Sequence, residues 1–166
     1  TCRFPMNILT KLLLVFAIVL PFSHAAKLVL AGGGVLSTNS AIYEAFIDLA
    51  SPSGKTPYIG VITAGVTLEI AESTARSIIS IFKNRYGFAN IEWLPFHPDN
   101  GTICSSTAWN TKIRSMTGIY FNGGNTGPIL DCFYPGGVES SALTVIKSRV
   151  ASNDLAIFGS SAGTLV

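Results

Sequence analysis

Gly159-Ser160-Ser161-Ala162-Gly163 is the stretch of this chain best suited to covalent chemistry. It fits the pattern G-x-S-x-G and falls between an apolar run, Leu155-Ala-Ile-Phe158, and the expected start of a helix. A sharp strand-to-helix turn holds such a serine in a strained backbone conformation and presents its hydroxyl. Flanking glycines remove side chains that would collide in so tight a turn. The helix behind the serine offers the positive end of its dipole. Ser161 is thus the candidate nucleophile, and the amide of Ala162 points at the place where an oxyanion would develop. The same pentapeptide also fits a plain turn with Ser160 or Ser161 as N-cap.

A second stretch, Asn122-Gly123-Gly124-Asn125-Thr126, offers a backbone with no side chain to hold a ligand away. With the Ala162 amide, the amide of Gly124 would complete a two-donor oxyanion hole. Gly33, Gly34 and Asn125 are pocket candidates. Glu69 and Glu72 are the acidic groups that would suit an arginine-rich substrate, although acids at a helix start are also favoured by the dipole alone. Gly32-Gly33-Gly34-Val35-Leu36-Ser37 resembles a dinucleotide fingerprint, but Ser37 stands where its last glycine or alanine belongs. No nucleotide cofactor is expected, and no metal.

These residues must be positioned by the elements around them. Short apolar runs at 27–31, 58–63, 91–96, 118–121 and 155–158 read as strands. Helical spacing marks Ile42, Ala45, Phe46 and Leu49, with Asn39 or Ser40 able to cap. It marks a longer helix through Ala71, Ala75, Ile78, Ile79 and Phe82, ending near Gly87. Thr107 to Ser115 and a turn at Ile129, Leu130 and Phe133 are shorter. Val138, Ala142, Val145 and Ile146 mark the last helix. Alternating strands and helices predict a parallel, doubly wound sheet covered on both faces, an α/β/α sandwich. In such sheets ligands bind beyond the carboxyl ends of the strands. There the chain carries Gly32-Gly33-Gly34, Thr63-Ala64-Gly65, the 122–125 loop and the serine pentapeptide, which would converge on one edge.

The chain has 166 residues, 48% hydrophobic and 12% charged, enough for one domain with a core and too few charges for disorder. Two of its eleven basic residues, Arg3 and Lys11, precede Lys27 and no acid does. The rest is near neutral, which argues against a nucleic-acid partner. Lys11, the apolar run Leu12 to Leu20, Pro21 and Ser23-His24-Ala25 read as a signal peptide over 6–25, preceded by residues 1–5 of unclear origin. The run is too short to span a membrane, so a secreted protein without a membrane anchor is expected. In an oxidising compartment Cys104 and Cys132 could pair or remain separate thiols. Asn100-Gly101-Thr102 is a glycosylation sequon in a turn.

The opening Leu28-Val-Leu-Ala-Gly-Gly-Gly34, Tyr43-Glu-Ala-Phe-Ile-Asp-Leu-Ala50 and Ile59-Gly-Val-Ile-Thr-Ala64 resemble cyanophycinase. Gly-Gly-Asn-Thr at 123–126 and Ser-Ser-Ala-Gly at 160–163 also match its relative peptidase E, the aspartyl dipeptidase. The resemblance covers Lys27 to Val166. It implies a sandwich like that of class I glutamine amidotransferases, Ser161 as nucleophile, and Gly124 and Ala162 as oxyanion donors. It implies a peptide or polymer substrate cleaved at aspartyl residues, with an aspartyl dipeptidase or a triad-less binding relative as alternatives, and is compatible with a homodimer. It also places a catalytic histidine after the nucleophile, where this sequence stops. The chain as written is therefore expected to be a C-terminally truncated, inactive and poorly soluble N-terminal part of the hydrolase. His97, in Phe96-His97-Pro98, is expected to be structural rather than the base.

Overall fold

The computed structural model describes residues 26–165. The signal segment expected at 6–25, and residues 1–5, lie outside the described residues. Five strands form one sheet: β1 (Leu28–Ala31), β2 (Ile59–Ile62), β3 (Ile91–Leu94), β4 (Gly118–Phe121) and β5 (Ala156–Ser160). Five α-helices accompany them: α1 (Ser40–Leu49), α2 (Leu68–Tyr86), α3 (Thr107–Ser115), α4 (Thr126–Phe133) and α5 (Ser141–Ala151). Single 3-10 turns span Ile103–Ser105, Pro135–Gly137 and Ser161–Leu165.

The strands lie in the order β1-β5-β4-β2-β3, and every pair is parallel. Successive side chains of a strand point to opposite faces, so each central strand feeds two cores. Tyr120, Ala156 and Phe158 join Phe46 of α1 and Phe82 of α2. Ile119, Phe121 and Ile157 join Ile113 of α3, Phe133 of α4 and Ile146 of α5. The fold is therefore a three-layer α/β/α sandwich. The chain runs one way across the sheet from β1 to β3 over α1 and α2. It then returns to β5 over α3, α4 and α5 on the other face. A reversal of direction with a change of face is what crossovers of one hand require.

The aromatic packing fixes the sheet's first face. Phe158 meets Tyr120 edge-on at 4.7 Å between centroids, and Phe46 at 5.5 Å. Such contacts add about 0.5–1.5 kcal/mol each beyond area burial. Helix ends follow the sequence signals. Gly87, with φ 66°, closes α2 after Lys83 and Arg85, and the amide of Phe88 just beyond it donates to the carbonyl of Phe82 at 3.0 Å. The Ser140 hydroxyl accepts from the amide of Leu143 at the start of α5.

Several details differ from expectation. β5 extends through Gly159 and Ser160, because Leu30 and Ala31 continue to pair with them. β3 stops at Leu94, and Phe96 enters the core from a loop. Val138 is extended and exposed, outside α5, because the turn at 135–137 holds Gly136 at φ 60°. Asn39 sits at the N-cap of α1 without a side-chain capping bond. The expected two-sided burial holds for β2 and β4 but not for β1 at the sheet edge, where Leu30 is 60% exposed. Among the described residues no helix is long and apolar enough to cross a membrane.

Candidate functional site

β2 and β4 are neighbours whose following helices, α2 and α4, leave toward opposite faces. A crevice opens at the carboxyl ends of such a pair. The turn after β2, through Gly65, and the loop after β4, Asn122 to Asn125, meet there backbone against backbone. The amide of Asn122 donates to the carbonyl of Ile62 at 2.9 Å, and that of Asn125 to the carbonyl of Gly65 at 2.6 Å. A Cβ built on Gly124, whose φ is +133°, would stand 2.1 Å from the Gly65 oxygen. Only glycine fits. The amides of Asn122 and Asn125 are thereby consumed, and among the described residues no backbone partner meets those of Gly123 and Gly124.

Ser161 stands one residue past the last paired residue of β5, with its side chain exposed. Its φ is 51°, one of two positive values among the described non-glycine residues. Both glycines of the pentapeptide are there because backbone packs on backbone. A Cβ on Gly159 would lie 2.6 Å from the Gly163 oxygen, and one on Gly163 2.4 Å from the Phe121 oxygen. A Cβ on Gly123 would lie 2.8 Å from the Cβ of Ser161, and one on Gly33 3.5 Å from its Oγ. The hydroxyl therefore sits between the loops after β1, β4 and β5. Behind it runs the 3-10 turn Ser161–Leu165. The amide of Ala162 falls in the first turn of that helix, whose amides lack intrahelical partners. Chemically, the arrangement is an exposed hydroxyl on a strained turn beside unbonded amides, the elements of nucleophilic attack with oxyanion stabilisation.

The chain has the fold of a solved peptidase. That structure, a peptidase from an acI-B1 Actinobacterium, superposes with a TM-score of 0.62 at 17% sequence identity. The match covers 84% of this chain and 55% of the other, so the chain spans about half the length of that peptidase. No family model matches the sequence.

The remaining expected site residues are placed as follows. Gly34, with φ +74°, and Gly33 line an open hollow between β1 and the start of α1. The Asn125 side chain accepts from the amide of Gly127 as N-cap of α4, which leaves its Nδ2 for other contacts. Glu69 is exposed in the first turn of α2. Glu72 is paired with Arg76 on the helix flank and lines a hollow with Trp93 and Lys83. The hydroxyl's neighbours are the glycine loops, and Glu72 is turned from them. The reason is helical geometry, which sets Glu72 four residues before a cation on the outer face.

His97 is 2% exposed, with both ring nitrogens engaged. Nδ1 accepts the amide of Asp99 at 3.1 Å, so Nε2 carries the proton and donates to the carbonyl of Val66 at 3.0 Å. It is the only histidine among the described residues and is not poised as a base. Cys104 and Cys132 are bonded, with Cα atoms 5.4 Å apart. The bond ties the segment after β3 to α4, the helix that follows the glycine loop. The sequon residue Asn100 is half-buried, and its Nδ2, the atom a glycan would take, donates to the carbonyl of Pro95 at 3.0 Å. Sequence reasoning missed the Gly65 carbonyl as the seat of the 122–125 loop, since a carbonyl's partner has no signature in residue type.

Proposed function

We propose that this chain belongs to a secreted serine-type peptidase in which Ser161 forms an acyl-enzyme, with the amides of Gly124 and Ala162 receiving the oxyanion. One observation carries the reading: a non-glycine residue held at φ 51° at a strand tip, with its hydroxyl packed against the glycine loops. Backbone strain of this kind costs about 1–3 kcal/mol and persists where the surroundings enforce it. In the proposed reaction the Ser161 oxygen attacks a peptide carbonyl as a base removes its proton. The acyl group stays on the serine while the protonated amine leaves, and water then releases the acid. The resemblance to cyanophycinase puts the base later in the chain than Ser161, in keeping with the commitment of His97 to the backbone. It also makes aspartyl peptides the proposed substrates, either a polymer or Asp-X dipeptides.

The test uses the full-length protein. A fluorophosphonate should label Ser161, found by peptide mass spectrometry, and Ser161→Ala should abolish both labelling and hydrolysis. Assays on cyanophycin, Asp-X dipeptides and simple esters separate the substrate classes. A protein that ignores the probe and all three substrates supports a second reading, a binding relative without a triad.

A further inference from the structure

We propose that His97 is a positioning residue for the oxyanion loop, an inference that rests on the reading of Ser161 as nucleophile. His97 lies in the segment after β3, on the far side of the Gly65 turn from the glycine loop. Its Nε2–H holds the carbonyl of Val66 at 3.0 Å. One residue back, the carbonyl of Gly65 accepts from the amide of Asn125 at 2.6 Å and leaves no room for a Cβ on Gly124. Movement of the 65–66 peptide therefore moves the Gly124 amide directly, because no side chain stands between to absorb it.

The imidazole is suited to this task. A buried ring that only filled space could be apolar, and an unsatisfied polar one would be costly. This one accepts from its own segment through Nδ1 and donates to the neighbouring turn through Nε2, so it fixes the distance between two loops. The same segment is anchored a second time, by the bond from Cys104 to Cys132 on the helix that Asn125 caps. Val66, His97, Gly65 and Asn125 also share the wall of one hollow, of about 350 Å³, beside that helix. The segment after β3, the turn after β2 and the loop after β4 are thus lashed into one unit. The proposed oxyanion amide is at its end.

The experiment compares His97→Gln with His97→Asn in the full-length protein. Glutamine can place an amide donor where Nε2 stands. Asparagine keeps an acceptor for Asp99 but does not reach Val66. The asparagine variant should slow acylation by about a hundredfold, the order lost with one oxyanion donor, with KM within about threefold of the original. The glutamine variant should stay within about fivefold. Amide exchange at Asn125 should quicken at least about tenfold in the asparagine variant alone, with Tyr120 in β4 unchanged. Equal losses in the two variants, or unaltered exchange at Asn125, would overturn the proposal. A protein whose Ser161 never acylates refutes the hydrolase reading instead, and exchange at Asn125 then decides the linkage by itself. Should His97→Asn fail to fold, a glutamine variant more than about a hundredfold slower than the original counts against the proposal.

Discussion

Replacing Gly124 by alanine tests the packing of the glycine loop most directly. The added Cβ would lie 2.1 Å from the Gly65 oxygen and 2.6 Å from its carbon, where ordinary contact begins at 3.4 Å. Both atoms are backbone, so nothing flexible can swing aside, and the two loops must part by about 1 Å. Three costs follow. Overpacking of this kind costs about 1–3 kcal/mol. A φ of +133° adds about 1–3 kcal/mol of strain once a side chain is present. Parting the loops also stretches the Asn125-to-Gly65 bond, worth about 1 kcal/mol. Relaxation offsets part of the sum, and we expect a loss of about 3 kcal/mol, a large share of a typical domain's 5–15 kcal/mol. Urea unfolding measures it. The internal control is Gly127→Ala, three residues on, where the nearest atom to a new Cβ is the Asn125 side-chain oxygen at 3.4 Å. Inside α4 that change should stabilise by about 0.5–1 kcal/mol. Opposite signs at two neighbouring glycines support the geometry. A Gly124→Ala variant within about 0.5 kcal/mol of the original would refute the reasoning.

Burial, with the Tyr43 phenol nearby, pushes the Tyr120 phenol up from 10.0 to about 12. A raised folded value favours the neutral phenol in the fold. The associated stability is therefore complete below pH 10 and lost as pH rises to 12, by about 3 kcal/mol in all. Tyr120→Phe should flatten that loss in urea titrations run at successive pH values. Reducing the Cys104–Cys132 bond, which closes a separation of 28 residues, should lower stability by about 3–4 kcal/mol. Thermal unfolding with and without a reductant measures it, and the Cys104→Ala, Cys132→Ala protein should no longer respond to the reductant. Leu30, 60% exposed on edge strand β1, borders an apolar hollow of about 410 Å³ shared with Leu28, Ile157 and Val150. Leu30→Lys should reduce concentration-dependent association, read by light scattering after gel filtration.

Residue type and spacing alone determined the local features of this protein. The apolar runs of β2 and β4 read as strands covered on both faces, which is how they are buried. α2 was legible from Ala71, Ala75, Ile78 and Phe82 and from the glycine that ends it, since a helix buries one stripe and stops where αL backbone is needed. Ser161 stood out because its flanking glycines answer to contacts within a few residues or with the adjacent strand. The tertiary structure alone decided which strands are neighbours, and so which loops meet. The order β1-β5-β4-β2-β3 sets the Gly65 turn against Gly124, leaves Leu30 on an open edge, and directs His97 to Val66 rather than to the serine. The Gly65 and Val66 contacts each end on a backbone carbonyl, across segments 31 or more residues apart. Every residue carries that group, so the pairing is chosen by how the layers pack.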